Sequence, residues 1–398
     1  MKLIPIPDEQ YDDYRLDLMF DCYKWDPQFV DNNTVARYAL VISGEEHEEL
    51  SALTRQLDYE TRQAECIVND NVNLTHKLKL SKTLKKEIRR MDNYNADKHV
   101  RLMRYDFHPT VEGKWAVSEV NSDVPGGFAE ASLMPQRAIK ILGNYSYINF
   151  GEVLVKAIQD KIKCGKVMLV HCTSYSDDRQ VMQFLGDRLQ ASGFEVIYAA
   201  ADHLKFIEKK AYSILDGNEG YVDAIIRFTP IEWLIQMKTR NWHGYFDTET
   251  LSCNHPVAIY AQTKRFPFIW DELESAGVNM NTWRKLLPDT LEVKSANGLE
   301  GYIYKPVYGR VGENISIKEA CTDSEYKKIL KDVKKYPKKY IAQKKFISRA
   351  LEGVNGEKFH VCLGSYAVQG EHAGYYARIS PTPRIDSNAA DIPVLIEV

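Results

Sequence analysis

The segment "RYDFHPTVEGKWAVSEVNSD" (residues 104–123) constrains the fold more than any other stretch of the chain. Its alternation reads as two strands, "RLMRYDF" and "KWAVSEV", joined by a turn containing Pro109 and Gly113. A plain hairpin centred between Glu112 and Gly113 pairs positions whose numbers sum to 225. That register sets Asp106 opposite Glu119 and Arg104 opposite Asn121, all four on one face. Directly opposed like charges destabilise a sheet by about 0.2–1 kcal/mol. The pairing therefore asks for compensating positive charge, and a bound cation is the natural candidate.

The bulk numbers narrow the classes around this hairpin. A chain of 398 residues has room for two or three domains. Apolar residues at 44% and charged residues at 27% are those of an ordinary globular protein. A net charge of −3 gives no general reason to bind nucleic acid or membrane surfaces. No apolar run approaches the roughly 20 residues of a membrane span. The opening "MKLIPIPDEQYDDYRLD" turns acidic early and lacks the apolar core of a signal peptide. Seven cysteines without tight spacing fit a reduced, cytoplasmic protein.

Residues 1–100 read as mostly helical, with "GEEHEELSALTRQLDYETRQ" rich in helix formers. The basic run "LKLSKTLKKEIRRMDNYNADKHVRLM" reads as a solvated helix face. After the hairpin, "VPGGFAEASLMPQRAIKIL" is a glycine turn leading into a helix. "GKVMLVHC", "DRQVMQFLGDRLQASG" and "FEVIYAA" make a βαβ unit, and "VDAIIRF" (residues 222–228) a further strand of its sheet. In the last third, "GYIYKPVYGRVGENISI" predicts strand, glycine loop, strand. A basic helix "DSEYKKILKDVKKYPKKY" stops near Pro337, and "YIAQKKFI" is a strand. "KFHVCLGSYAVQGEHAGYYARIS" predicts two strands meeting near Gly370. The mixture without strict alternation predicts an α/β (α+β) protein.

Asp106, Glu119 and Asn121 offer hard oxygen ligands, which suit Mg2+ with one or two protein carboxylates and a shell completed by water and phosphates. Arg104 has a planar fork for a phosphate or carboxylate. The bland alternative is a surface hairpin in which Arg104, Asp106 and Glu119 form salt bridges. In "YKPVYGRVGENI", Lys305 lies on a strand, and Gly309 and Gly312 free the following backbone to close over phosphates. The order is not that of a Walker A loop. A flap with Lys305 and Arg310 reaching phosphate is one reading, and a hairpin turn with exposed bases the other. Arg378 and Arg384 offer charge for a transferring phosphoryl group. "CNH" (Cys253, Asn254, His255) has the residue types of a thiol or metal site without an identifiable third group.

With these segments in order, the sequence resembles the glutathionylspermidine synthase family, whose synthetase domain is an ATP-grasp acid–amine ligase. The resemblance runs from "YKWDPQ" through "RYDF…EVNSDVPGGFAEAS", "RFTPIEWL", "YKPVYGRVGENI" and "YIAQKKFI" to "HAGYYARIS…NAADIPVLIEV". It implies an ATP-grasp fold with a Rossmann-like pre-ATP-grasp βαβ domain. The expected organisation is a helical region plus metal-binding hairpin over 1–150, the βαβ domain over 151–230, and the ATP-grasp region over 231–398 with its lid near 290–340. It further implies that Asp106, Glu119 and Asn121 bind Mg2+ and that Arg104 meets the reacting carboxylate and ATP. Lys305 looks like the phosphate lysine, and residues 309–312 (Gly309, Arg310 and Gly312 among them) like the lid. Gln343 and Lys344 fall where relatives wrap adenine, with Lys339 a second ATP lysine. Arg378 looks like the arginine at the transferring phosphoryl group. Glu232 and Asp391 match acidic positions that hold the amine.

Two departures shape the expectation. The resemblance starts close to the first residue, so a stand-alone synthetase region with no amidase domain before it is the expectation. Where glutathione-using relatives carry serines, this chain reads "DVPGG", with Val124 and Gly126, which favours an acid other than glutathione. The reaction implied is an ATP- and Mg2+-dependent joining of a small carboxylic acid or peptide to an amine, such as a polyamine, through an acyl phosphate. The alternatives are a non-catalytic nucleotide-binding regulator and a phosphotransferase on the same fold.

Overall fold

The computed structural model describes residues 1–91, 94–237, 239, 241–297 and 299–398. Its centre is an antiparallel sheet in which the hairpin strands Leu102–Pro109 and Trp115–Asn121 sit beside Lys358–Val368, Glu371–Ser380 and Ala390–Ile392. Arg104 pairs with Asn121 and Asp106 with Glu119, the register that the alternation predicts. The route differs from a plain hairpin. From Phe107 to the turn the partners sum to 224, as in Pro109 with Trp115, and a bulge at Ser118 restores 225 at Asp106 and Glu119. The bulge adds one residue to one strand.

Period-two alternation gives the sheet two different faces. Met103, Tyr105 and Phe107 enter the main core, leaving Arg104 and Asp106 on the opposite side. The core face is covered by the helix Gly44–Asp70, which opens with a capping box between Ser43 and Glu46. Leu50, Thr54, Leu57, Thr61, Ala64 and Val68 are buried at alternating steps of four and three, one stripe of a helix. Thr54 on this helix bonds Ser365 at 2.7 Å, and Asp58 accepts from the Tyr105 hydroxyl at 3.2 Å.

The expected βαβ unit forms a parallel sheet of Lys166–Val170, Glu195–Ala199 and Ala224–Arg227. A fourth strand, Leu251–Cys253, extends it beyond residue 230. This sheet is joined to the hairpin by Asn254, which accepts from Leu102 N at 2.7 Å and donates to Ser122 O at 2.8 Å. Another sheet brings the two ends of the sequence together, with Val394–Glu397 parallel to the fully buried Tyr38–Ile42.

The region expected to form the lid carries Thr290–Leu291, Tyr302–Pro306 and Tyr340–Lys344 in one sheet, with the helix Asp323–Lys335. The second strand expected after the glycine loop is not formed. Val311, Gly312 and Asn314 all take left-handed backbone, with φ of 50°, 66° and 55°, and an extended run does not survive them. The strand bearing Lys305 pairs instead with Tyr340–Lys344. The basic run at residues 78–103 contains the helix Lys82–Arg90, which buries Leu84 and Ile88 and leaves most of its cations outside. Residues 92 and 93 of that run lie outside the described residues.

Candidate active site

A cavity of about 700 Å³ opens between the central sheet, the lid and the parallel-sheet region. Arg104, Asp106, Glu119 and Asn121 all line it. Arg104 grips Asp106 with two bonds, Nε to Oδ1 at 2.8 Å and Nη2 to Oδ2 at 3.1 Å. Its Nη1 donates to the Gly126 carbonyl at 2.9 Å, and the guanidinium lies 4.9 Å from the Tyr376 ring centre. Asn121 Nδ2 donates to Asp106 Oδ2 at 3.0 Å. Glu119 meets the Lys264 ammonium at 2.5 Å. Each opposed acid therefore has a cation of its own. Burial pushes the Asp106 carboxyl up despite Arg104. For Glu119, burial acts upward too, but Lys264, Lys305 and Arg104 together hold it below its ordinary range.

The donor set suits a hard cation. Two carboxylates and an amide facing one cavity are what Mg2+ takes from a protein when substrate phosphates and water complete its shell. Among the described residues, no three or more His, Cys, Asp or Glu side chains gather as a metal cluster, so nothing resembles the closed cage of a structural zinc.

From the lid, Lys305 enters the cavity with only 4% exposure, and its Nζ donates to the Ser118 carbonyl at 3.3 Å. Burial, reinforced by Lys264, pushes it down to about 8. Arg310 and Gly312 also line the cavity; Gly309 contributes its carbonyl to Lys264 at 2.9 Å instead. Gly312 is required twice over, by its positive φ and because a Cβ would strike the Ile385 carbonyl. Arg310 Nη2 donates to Glu232 at 2.6 Å, pairing the glycine loop with an acid to which the family resemblance gives the amine.

Lys339, Gln343 and Lys344 do not line this cavity. Lys339 is exposed over the Tyr336 ring, Gln343 is buried against Thr290 at 3.1 Å, and Lys344 is exposed. Lys345 and Phe346, just beyond the strand end, take the lining positions, and Phe346 lies 5.1 Å from the ring of His108.

At the other end, Asp391 is held by Lys24 at 2.7 Å, Tyr376 at 2.7 Å and Arg378 at 3.6 Å. Burial acts against its charge, but Lys24 and Arg378 keep the carboxyl low. Arg378 Nη2 also donates to the Asp386 and Ala389 carbonyls at 2.6 and 3.2 Å. Arg384 lines the cavity as well, but bonds Glu325 at 2.6 Å and Asp386 at 3.0 Å. The buried Lys24 ammonium reaches Asp26 at 2.7 Å and Glu130 at 3.5 Å too. Sequence reasoning missed Lys24, Glu130, Lys264 and Tyr376. Lys24 stands inside "YKWDPQ" and Glu130 inside "GGFAEAS", quoted segments whose chemistry no spacing rule isolates. The "CNH" trio is structural, with Cys253 buried and pushed up to about 12 and Asn254 spent on backbone.

The fold is that of the ATP-grasp-type synthetases. The sequence matches the glutathionylspermidine synthase pre-ATP-grasp family over residues 15–397, and the chain belongs to that family. A glutathione synthetase-like effector from Globodera pallida, solved in its apo form, has the same fold. The two share 14% identity with a TM-score of 0.63, covering 98% of this chain and 97% of that one. A candidate gamma-glutamylcysteine synthetase from Methylobacillus flagellatus KT aligns at 14% identity over 86% of this chain and 88% of that one, with a TM-score of 0.41. No curated protein matches the sequence. Membership puts the chain among synthetase-like ligases. Among the described residues, no helix is long and apolar enough to cross a membrane.

Proposed function

We propose that the chain is an ATP- and Mg2+-dependent acid–amine ligase that forms an amide through an acyl phosphate. One observation carries the reading. The hairpin set Arg104, Asp106, Glu119 and Asn121 shares a single cavity with Lys305, Arg310, Arg378 and Asp391, and Glu232 is bonded to Arg310 at its edge. Such a cavity is basic where phosphates belong and acidic where a cationic amine belongs.

In the first step a substrate carboxylate oxygen attacks the γ-phosphorus of ATP, and ADP leaves. In the second, an amine nitrogen attacks the acyl carbon, and phosphate leaves with the bonding pair. Arg104 orients the carboxylate, while Lys305 and Arg378 clamp the phosphoryl oxygens. Mg2+, held by Asp106, Glu119 and Asn121 when bound, supplies neutralisation of phosphate charge. The lid residues from Gly309 to Gly312 exclude water that would hydrolyse the acyl phosphate. Glu232 and Asp391 favour a cationic amine. Val124 and Gly126 line the cavity without a hydroxyl, which supports an acid other than glutathione.

A screen of small acids and peptides against polyamines and amino acids, with ADP release and product mass recorded, tests the proposal. The expected result is amine-dependent ADP release and a product heavier than the acid by the amine less water. ADP release without any amine, together with a stable phosphorylated acid as the product, would mean phosphotransfer, and none at all a regulatory binding protein.

A further inference from the structure

An alkyl amine reaches its enzyme as an ammonium, with a pKa of about 10 for a lysine-type group, and an ammonium has no lone pair to attack with. The second step of the ligase reading therefore needs a proton acceptor in the cavity. The buried acids at the amine end are not equivalent. Asp391 has Lys24 and Tyr376 at 2.7 Å and Arg378 at 3.6 Å. Glu232 is tied to Arg310 at 2.6 Å through Oε1; its Oε2 is also buried without a hydrogen-bond partner, but the residue does not line the cavity. Glu130 is 8% exposed, and the nearest cation, Lys24, stands at 3.5 Å from Oε1. Its Oε2 is buried with no hydrogen-bond partner, and the residue lines the cavity.

We infer that Glu130 is the general base that takes the proton from the attacking amine, an inference that rests on the ligase reading. Its place in the chain supports this. Glu130 follows the turn whose Gly126 carbonyl binds Arg104 and Tyr366. In that turn, Gly127 packs so closely on the Tyr376 ring that a Cβ would lie 2.7 Å from it. The groups that face Glu130 are the Lys24 ammonium, the Asp26 and Asp391 carboxylates, and the Tyr366 and Tyr376 phenols. Burial, with Asp391 and Asp26 adding to it against the pull of Lys24, pushes its carboxyl up to about 7. A base poised near neutral pH is the most effective one there.

The step balances as follows. The ammonium gives one N–H proton to the Glu130 carboxylate, and the freed lone pair forms the C–N bond at the acyl carbon. The C–O bond to phosphate breaks, and phosphate takes both its electrons and the second N–H proton, leaving as hydrogenphosphate. Glu130 then returns its proton to solvent.

The test compares wild type, Glu130→Gln and Glu130→Asp, using the acid and amine identified in the screen and, in parallel, hydroxylamine. Hydroxylamine is unprotonated at neutral pH and needs no base. Glu130→Gln is expected to lose about 10²-fold or more of amide formation, to form hydroxamate at close to the wild-type rate, and to lose the acid limb of the pH profile near 7 for the amine. Glu130→Asp should recover part of the amide rate. Loss of hydroxamate as complete as loss of amide, or undiminished amide formation, would overturn the inference. A wild type that makes neither product sinks the ligase reading itself, and this inference with it.

Discussion

Arg310 and Glu232 are bonded across 2.6 Å, so the lid loop closes onto the acid proposed to receive the amine. In the ligase reading the incoming ammonium and Arg310 compete for one carboxylate. Arg310→Met should therefore lower the amine KM by about 3- to 10-fold, in keeping with the loss of a charge-assisted bond. The same variant should hydrolyse more ATP in the absence of amine, because the lid loses its latch. Glu232→Gln should raise the amine KM instead. Steady-state kinetics with and without amine measures all three, and parallel changes in both variants would refute the competition.

Asp106 lies between Arg104 and Asn121 on the face proposed for Mg2+. Asp106→Asn is expected to abolish amine-dependent ADP release, by about 10³-fold, while a cooperative thermal transition remains. Undiminished turnover at saturating Mg2+ removes the metal role.

Lys305 bears a charge below about 8 and loses it above. Without divalent metal, ATP binding should weaken as pH rises from 7 through 9, because the neutral amine no longer attracts phosphate. Beyond 8 the free protein loses up to about tenfold per pH unit. Calorimetric titration across this range checks the sign, and Lys305→Arg should flatten the dependence.

Asp123 and Arg227 form a fully buried pair, and Asp123 Oδ2 also accepts from Ile231 N at 2.8 Å. Breaking a buried pair from one side costs about 3–5 kcal/mol. Asp123→Asn should lower stability by that order in urea unfolding, with no direct contact to the proposed ATP residues to explain it.

The hairpin shows what could be read in advance. Alternation and the opposed acids were visible in the letters, and the pairing of Asp106 with Glu119 is there. The bulge at Ser118 was not visible, because nothing local distinguishes an extra residue from a longer turn. The lid was read as a hairpin for a similar reason. Its left-handed residues Val311 and Asn314 are not types that announce a positive φ as glycine does. The cations that answer the two acids were hidden differently. Arg104 is two positions from Asp106, but Lys264 is brought to Glu119 by tertiary folding alone, and Lys24 reaches the cavity from a segment with no recognisable spacing. Glu130 is an ordinary glutamate until its burial and its vacant oxygen are seen. Polar residues acquire their chemistry from neighbours distant in sequence, and periodicity reports only on near ones.

The bond between Lys24 and Asp391 spans 367 positions of sequence. During synthesis, the Lys24 ammonium must wait in water until the chain has grown through Asp391. Contacts of such separation form late. A nascent or nicked chain that had completed the hairpin and the glycine loop would still lack one wall of the proposed amine end, and competence would arrive only with the strand Ala390–Ile392.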